Sequence, residues 1–344
     1  HNGEACCVCF EAAGPRKKLY FDSSRAKCAI VTCGGLCPGI NDVIRAIVME
    51  AYHAYNVPSI VGIPYGLEGF IPKYRHALRE LTPDVVADIH RFGGTILGSS
   101  RGPQSPEEIV DTLERCNVNA LFVIGGDGSF RGARDLTQYG IGCIGIPGTI
   151  DNDISCTDYT IGYDTAMNTA LEMIDKLRDT TQSHDRCSVV EVMGHHAGYI
   201  ALNVGIATGA VAVLLPEIPF DFERDILERM RQTQVTGKKH FIIIVSEGVI
   251  DANELANQIQ AATGVDSRAT VLGHIQRGGS PTVRDRVNAS LMGYHAIDLL
   301  DKGIYNRVVA VSGDKIVDYD VNVALSMHKT IDRDMIEIAN TISI

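Results

Sequence analysis

Apolar and polar residues follow one another along this chain in two recurring arrangements. Short runs rich in Val and Ile, such as residues 28–33 and 240–246, alternate with longer stretches whose apolar residues recur every three or four positions. The short runs are typical of buried strands and the longer ones of amphipathic helices. Their alternation predicts repeated β-α units and therefore an α/β protein with parallel sheets.

The pattern locates the individual elements. Strands are predicted at 28–33, 58–63, 119–124, 141–146, 187–193, 211–215, 240–246 and 268–273. Helices are predicted at 41–55, 82–92, 106–116, 129–138, 164–182, 198–209, 222–233, 253–263 and 283–302. The start of the third helix is well marked, because Ser105 can cap it, Pro106 suits its first position and Glu108 completes a capping box.

Glycines and polar residues concentrate where predicted strands end. Six such motifs occur, at 34–35, 125–128, 147–149, 193–194, 246–247 and 273–274. The carboxyl ends of parallel strands form one edge of a sheet, and ligands bind at that edge in open α/β folds. We therefore expect the active site there.

Composition narrows the class of protein. The 344 residues are 45% apolar and 21% charged, which predicts a folded chain of about two domains. No apolar run approaches the ~20 residues of a membrane span, and the N-terminus lacks the pattern of a secretory signal. The net charge of −11 argues against nucleic acid or an anionic membrane as a partner.

The ten cysteines fit neither a disulfide framework nor zinc-finger spacing. A metal site at Cys6, Cys7 and Cys9 is disfavoured, because no second Cys or His pair lies nearby. We expect a reduced, cytoplasmic protein.

The segment 34–39 (GGLCPG) joins a predicted strand to a predicted helix. Its glycines would let backbone N–H groups approach a phosphate; a tight turn without a ligand explains it equally well. It is neither a Walker A loop nor the dinucleotide pattern GxGxxG, which weakens a dehydrogenase interpretation.

The segment 125–129 (GGDGS) carries a sharper signal. Three glycines expose backbone donors for a polyphosphate, and Asp127 is left to bind Mg²⁺. An Asp that merely caps the next helix would not explain the glycines. Similar segments occur in lipid kinases and NAD kinases, so this one indicates a kinase without specifying its substrate.

The segment 149–153 (TIDND) offers two carboxylates with separable tasks. One can accept the proton of an attacking hydroxyl while the other stays near the metal; an Asp-rich turn is the alternative. Arg101, in a Gly-rich loop, suits a phosphoryl oxygen. Arg268, His274 and Arg277 follow one another at another strand end and suit the phosphate of an acceptor.

Taken together, these segments resemble the ATP-dependent 6-phosphofructokinase family from about Gly14 to the C-terminus. The motifs occur in the family's order: GGLCPGIND, GGTILGSSRG, GGDGS, PGTIDNDI, DYTIGYDTA, LRDTTQSH, VVEVMG, SEG and TVLGHIQRGGSP. The resemblance implies two doubly wound, Rossmann-like domains with the active site in the cleft between them. We expect an N-terminal extension (1–26), an ATP-binding domain (27–160 plus about 275–325) and a sugar-phosphate-binding domain (161–274 plus about 326–344).

The resemblance also implies residue roles. Asp151 would take the proton from the 1-hydroxyl of fructose 6-phosphate, and Asp127 would bind Mg²⁺. The catalytic group would comprise Asp151, Thr149, Asp153, Arg101 and Arg186. ATP would be held by Gly35, Arg101, Gly102, Gly126, Asp127, Gly128 and Ser129. The sugar phosphate would be held by Thr149, Asp151, Asp153, Met193, Gly194, His195, Glu247, His274 and Arg277. Arg186 and Arg268 would come from a neighbouring subunit, so the resemblance implies a homodimer or homotetramer with shared active sites.

Three positions depart from the better-known bacterial pattern. Leu36 stands where an Asp is usual, His195 where an Arg commonly follows Met-Gly, and Val211 where a Glu binds the effector's metal. The segments GPRKKLYFD and GGLCPGIND look more like plant and trypanosome relatives. We expect the chemistry to carry over and the bacterial effector response not to.

Other functions remain in competition. A pyrophosphate-dependent phosphofructokinase tends to have Asp in place of Gly128 and Lys in place of Gly148, and glycine at both positions favours ATP. A catalytically inactive, sugar-phosphate-sensing module is disfavoured by intact Asp127, Asp151 and Asp153.

Overall fold

A computed structural model describes residues 27–342 of the chain. The predicted N-terminal extension, with its three clustered cysteines, lies outside the described residues. Within residues 27–342, no helix is both long and apolar enough to cross a membrane.

The larger of two sheets has seven strands. They are β1 (Lys27–Thr32), β2 (Ser59–Ile63), β3 (Arg79–Glu80), β4 (Ala120–Gly125), β5 (Gly142–Pro147), β10 (Arg307–Ser312) and β11 (Lys315–Asp320). Their order is β11-β10-β5-β4-β1-β2-β3. The inner strands are parallel, and the sheet ends in an antiparallel strand at either edge.

The smaller sheet has four strands, all parallel. They are β6 (Cys187–Val192), β7 (Ala212–Leu214), β8 (Phe241–Ser246) and β9 (Ser267–Val271), in the order β7-β8-β6-β9. β8 is buried along its whole length, which explains why residues 241–245 (FIIIV) are continuously apolar rather than alternating with polar residues.

Helices cover both sheets. They are α1 (Ile40–His53), α2 (Pro83–Val86), α3 (Pro106–Arg115), α4 (Asp127–Thr137), α5 (Tyr163–Ser183), α6 (Tyr199–Thr208), α7 (Glu228–Val235), α8 (Ala252–Thr263), α9 (Val283–Asp301), α10 (Val321–Ser326) and α11 (Arg333–Ile342). One hydrophobic core contains Ile30 of the large sheet, Ile244 of the small sheet and the inner faces of α1, α5, α6 and α9. Because the two sheets share this core, their facing edges are held in a fixed relation.

The predicted strands all form, within one or two residues of their predicted ends. The start of α3 is confirmed, since Ser105 Oγ accepts a hydrogen bond from the Glu108 N–H at 3.3 Å. The predicted fold class is therefore correct in its main elements.

Two predicted helices are wrong in detail. The helix expected at 82–92 breaks into α2 and a 3₁₀ turn at Ile89–Arg91. Two side chains of α1 donate hydrogen bonds to backbone oxygens of this segment. Arg45 Nε donates to the Ala87 oxygen at 3.1 Å, and Asn41 Nδ2 donates to the Phe92 oxygen at 3.1 Å. The helix expected at 222–233 begins as a π-helical turn at Glu223–Leu227 and runs on through α7.

Candidate active site

Three loops that follow strands of the large sheet are hydrogen-bonded side by side. The Cys33 N–H donates to the Ile124 oxygen at 2.9 Å, and the Gly148 N–H donates to the Gly125 oxygen at 3.1 Å. These bonds continue the pairing of β1, β4 and β5 beyond the strand ends. The glycine and aspartate motifs of all three loops therefore share one edge, as expected.

The Gly34–Gly35 turn is fastened to the loop that carries Arg101. The Gly34 N–H donates to the Ser100 oxygen at 3.1 Å, and Ser99 Oγ donates to the Gly34 oxygen at 2.8 Å. A Cβ placed on Gly35 would lie 3.7 Å from Arg101 Nη2 and 3.9 Å from Arg277 Cζ. Two guanidinium groups thus flank this turn, an arrangement suited to phosphate oxygens.

The GGDGS segment forms the N-terminus of α4. Asp127 is the first residue of the helix, and the backbone N–H groups of its first turn give this end a partial positive charge. Cβ atoms added at Gly126 or Gly128 would meet nothing within 4 Å, so the space in front of the helix is open. Gly102, in the Arg101 loop, likewise faces open space and has a φ of 102°.

The acid loop, Thr149–Asp153, is held closely. Thr149 Oγ1 donates to Asp151 Oδ2 at 3.2 Å and accepts from the Asp151 N–H at 3.3 Å. Asp151 Oδ1 is buried and has no hydrogen-bond partner within the described chain. An unpaired buried carboxylate oxygen is costly unless a ligand supplies the missing donor, so this oxygen is available to a bound ligand.

The electrostatics of the acid loop favour proton transfer at Asp151. Burial raises its pKa to about 6, with further increases from the charges of Asp153 and Glu247, while the Thr149 hydrogen bond and Arg277 oppose them. Burial also raises the pKa of Asp127, and the charge of Asp153 adds to that effect. A carboxyl group with a pKa of about 6 is still mostly ionised at pH 7 and is more basic than an ordinary aspartate.

Asp127 and Asp153 together fit a divalent cation. Each carboxylate makes the local electrostatic potential more negative, which attracts a cation. The open space beside Gly126 and Gly128 leaves room for an ion together with phosphate oxygens. In the described part of the chain no three His, Cys, Asp or Glu side chains form a complete metal cluster. Mg²⁺ in kinases usually binds through one or two carboxylates, with the remaining ligands from phosphate and water, and Asp127 and Asp153 are suited to that role.

The small sheet contributes a second set of loops. Glu247, after β8, accepts from the N–H groups of Gly194 at 3.1 Å and His195 at 2.5 Å, so it fixes the loop after β6. The His195 ring then reaches toward the acid loop, with Nδ1 3.5 Å from Asp153 Oδ2. Loops from the two sheets therefore meet at Asp153.

The segment after β9 completes that side. It forms a 3₁₀ turn at Gly273–Arg277. Gln276 is fully buried, and its Oε1 accepts from the Met193 N–H at 2.8 Å. This bond ties the Met193 loop to the turn, leaving His274 exposed and Arg277 directed to the Gly35 turn.

Arg186 and Arg268 lie elsewhere. Arg186 immediately precedes β6, and Arg268 is the second residue of β9, so both are at the amino ends of strands whose carboxyl ends carry Met193 and His274. Both pair with Asp266: Arg186 Nε lies 2.6 Å from Oδ2 and Arg268 Nε 3.5 Å from Oδ1. A strand of six residues spans roughly 20 Å, which separates these cations from the acid loop of their own chain.

Sequence reasoning missed two residues that shape the site, Gln276 and Lys329. Gln276 stands between two cations in a Gly-rich stretch, where a single polar residue gives no signal of burial. Lys329 Nζ donates to the carbonyl oxygens of Asn152 at 2.9 Å and Thr157 at 3.0 Å. It comes from a C-terminal segment 176 residues or more away in sequence from the acid loop, which no local pattern could connect.

Comparison with known proteins agrees with this geometry. The family model described as phosphofructokinase matches residues 27–300. Proteins named ATP-dependent 6-phosphofructokinase from Lysinibacillus sphaericus and Brevibacillus brevis are 48% and 47% identical to this chain, and each alignment covers 92% of this chain and 99% of the relative.

Solved structures show the same fold. A phosphofructokinase from Saccharomyces cerevisiae has a TM-score of 0.81 at 29% identity; the match covers 88% of this chain and 45% of the yeast chain. A pyrophosphate-dependent phosphofructokinase from Marinobacter aquaeolei has a TM-score of 0.80 at 24% identity, and the match covers 90% of this chain and 86% of that one. At this identity the likeness supports the fold only. With four-fifths of its length matched by the family model and relatives nearly half identical over almost their whole length, the chain belongs to the phosphofructokinase family.

Proposed function

We propose that this phosphofructokinase transfers the γ-phosphoryl group of ATP to the 1-hydroxyl of fructose 6-phosphate, giving fructose 1,6-bisphosphate and ADP. The observation that carries the mechanism is Asp151, a carboxyl group with a buried, unpaired oxygen and a pKa raised to about 6. The sugar oxygen forms a bond to the γ-phosphorus, the bond from that phosphorus to the bridging oxygen of ADP breaks, and the hydroxyl proton passes to Asp151. Thr149 holds the carboxylate in place through its hydroxyl.

The donor binds against the open edge of the large sheet. Its phosphates meet the N–H groups at the start of α4, Gly35 and Ser129, and the guanidinium of Arg101. Gly102, Gly126 and Gly128 keep that space free. Phosphoryl transfer needs in-line positioning and neutralisation of spreading charge more than covalent help, and these groups supply both.

Two glycines favour ATP over pyrophosphate as donor. A Cβ on Gly148 would already lie 3.1 Å from Ile124 Cγ2, so a larger residue there must displace its surroundings. A larger, charged residue at Gly128 would fill the open space at the start of α4. Glycine at both positions leaves room for an adenosine-bearing donor.

Asp127 would hold Mg²⁺, with Asp153 close enough to contribute negative potential. The bound ion would supply positive charge to the phosphate oxygens of the donor. Asp127 fits this task because it starts α4 beside the phosphate-binding backbone.

The acceptor binds where the loops of the two sheets meet. We assign its contacts to Thr149, Asp153, Met193, Gly194, His195, Glu247, His274 and Arg277. Arg277 lies beside the donor turn, so it can neutralise charge between the two substrates. The large-sheet lobe, 27–160 plus about 275–325, then binds ATP, and the small-sheet lobe, 161–274 plus about 326–344, binds the sugar phosphate.

Arg186 and Arg268 serve a neighbouring copy of the chain. Both are at the far strand ends and cannot reach their own acid loop, whereas a two-fold axis would place the same edge of each copy against the other's cleft. The working enzyme is then at least a homodimer, and a homotetramer is compatible. A cytoplasmic location suits this chemistry, since ATP and sugar phosphates are found there.

A coupled assay of the purified protein tests the reaction and the donor together. With fructose 6-phosphate, Mg²⁺ and ATP we expect ADP and fructose 1,6-bisphosphate in equal amounts. With pyrophosphate in place of ATP we expect no fructose 1,6-bisphosphate above background. Turnover with pyrophosphate but not ATP would overturn the assignment of the donor.

A further inference from the structure

We propose that Lys329 is a positioning residue for the reaction, which fixes the turn between Asp151 and Asp153 from the C-terminal segment of the chain. The inference rests on the proposed role of Asp151 as the base. Lys329 follows α10, and its ammonium group donates to the carbonyl oxygens of Asn152 and Thr157 at 2.9 and 3.0 Å. Nothing in the transfer of the phosphoryl group itself requires contact with Lys329.

The central residue of the turn has a left-handed backbone conformation, which Asn adopts more readily than most residues and which the surrounding hydrogen bonds hold in place. Asn152 has a φ of 54°, in the left-handed region, and is 4% exposed. Its side chain is already engaged, with Nδ2 donating to the Asp158 oxygen at 3.2 Å and Oδ1 accepting from the Thr160 N–H at 3.0 Å. The side chain thus holds one side of the turn, and Lys329 holds the carbonyl between the two carboxylates.

A cation is suited to this position. Burial lowers the pKa of Lys329 to about 8, and the charges of Asp158 and Asp153 oppose that effect. The opposite side of the ammonium faces the ring of Tyr199, with Nζ 4.6 Å from the ring centroid. At neutral pH the group is therefore charged, hydrogen-bonded twice and packed on an aromatic face.

These contacts also join parts of the molecule that must act together. Tyr199 is the first residue of α6, which follows the loop that carries His195, and the His195 ring lies 3.5 Å from Asp153. Lys329 thereby connects the acid loop to the loop after β6. A shift of the turn by about 1 Å at this point is enough to lower the rate of a positioned reaction by up to 10²-fold.

The test compares two substitutions at Lys329 with one at a matched exposed lysine. Lys329→Met keeps the length and the packing on Tyr199 but removes the charge and both hydrogen bonds; Lys329→Arg keeps a cation. Lys315→Met, at the exposed start of β11, is the control. We expect Lys329→Met to lower kcat at least about 10-fold with the KM for ATP within about two-fold of wild type, and Lys329→Arg to recover most of the loss.

The pH profile separates positioning from a merely structural role. In the wild type, kcat should fall as pH rises through about 8, where Lys329 loses its proton. In Lys329→Arg that decline should move to higher pH, because an arginine stays protonated. A residue that only stabilised the fold would change the melting temperature and leave the profile of the folded enzyme unchanged.

Three outcomes overturn the inference: wild-type kcat in Lys329→Met, equal losses in the Met and Arg variants, or an alkaline limb that neither variant moves. If Lys329→Met does not fold, Lys329→Gln is measured in its place against the same criteria. Asp151→Ser, assayed in parallel, separates a failure of the proposed base from a failure of the proposed role of Lys329. Full activity of Asp151→Ser removes the proposed base, whereas an inactive Asp151→Ser with a wild-type-like Lys329→Met removes only the role of Lys329.

Discussion

The acid loop and the donor loops lie at the same edge of the large sheet but are built in opposite ways. In the acid loop, Thr149, Asn152 and Thr160 form a continuous set of hydrogen bonds, and one carboxylate oxygen is left buried without a partner. The donor loops at Gly34–Gly35, Gly102 and Gly126–Gly128 carry little side-chain structure, and several of their glycines face open space.

The difference follows from what each loop must do. A base has to meet one hydroxyl in one geometry, so its carboxylate is fixed and its pKa is shifted by burial. A polyphosphate chain with an adenosine needs space and many weak backbone donors, so its loops are glycine-rich and exposed. Substitutions in the acid loop should therefore affect the rate of the chemical step, and substitutions in the donor loops should affect the choice and binding of the donor.

A carboxylate at Gly128 should produce the largest effect on donor use. A Cβ there meets nothing within 4 Å, and an acidic residue in the first turn of α4 favours the helix, so Gly128→Asp should fold normally. Like charges brought together cost several kcal/mol, so kcat/KM for ATP should fall at least about 10²-fold. Gly128→Ala, which fills the same space without charge, should lose far less. Unchanged use of ATP by Gly128→Asp would show that the donor site is misplaced.

Mixed refolding tests whether the far-end arginines serve another copy. Asp151→Ser and Arg268→Ala should each be inactive alone, because each lacks part of every site. Refolded together at equal amounts, half of the dimers are mixed and carry one intact site of two, so about a quarter of wild-type activity should return.

The control for that experiment is the same pair of variants refolded separately and then mixed. If mixed oligomers form and no activity returns, Arg268 acts only within its own chain, through its pairing with Asp266.

The pH dependence of the rate should follow the raised pKa of Asp151. The base works only when it is deprotonated, so kcat should fall up to ten-fold per unit as pH decreases below about 6. Above that pH, kcat should level off until the decline that Lys329 is expected to cause near pH 8. Phosphate monoesters titrate near pH 6 as well, so the residual rate of Asp151→Ser over the same range is the necessary reference. An acid limb near pH 4 after that correction would mean that burial does not shift this carboxyl group.

The smallest effect is expected for effectors. Val211 is 1% exposed and packs in the core of the small sheet, so it cannot bind an effector's metal. We therefore expect that ADP and phosphoenolpyruvate, titrated at subsaturating fructose 6-phosphate, do not act as the opposing activator and inhibitor of the bacterial scheme. Large and opposing responses to the two compounds would contradict this.

The sequence predicted the strands well because each is a short, continuous apolar run between glycines. It also placed the strand-end motifs at the carboxyl ends of parallel strands, but these strands belong to two sheets, with three motifs on each, and the two edges meet at Asp153. The hairpin of β10 and β11 was missed, although Gly313 and Asp314 between two apolar runs are a recognisable hairpin signal. The missed helices α10 and α11 are short or lie at the end of the chain.

Side-chain partners were harder to predict than elements. At the break after α2, backbone oxygens accept hydrogen bonds from Asn41 and Arg45, which belong to another helix. The contact of Lys329 with Asn152 joins the C-terminal segment to a loop in the middle of the chain. Neither interaction leaves a periodic or local pattern, so only the folded chain reveals them. The roles assigned to the site residues stay predictions until the variants are measured.

The role of Asp151 as the catalytic base is tested most directly by the single-turnover rate of phosphoryl transfer in Asp151→Ser at saturating ATP and fructose 6-phosphate, pH 7. We expect a rate at least about 10²-fold below wild type, with the equilibrium binding of both substrates changed only a few-fold. The reason is that a general base acts in the transition state rather than in substrate binding. A rate within a few-fold of wild type, accompanied by weakened binding of ATP, would contradict it and make Asp151 a metal ligand or a structural residue.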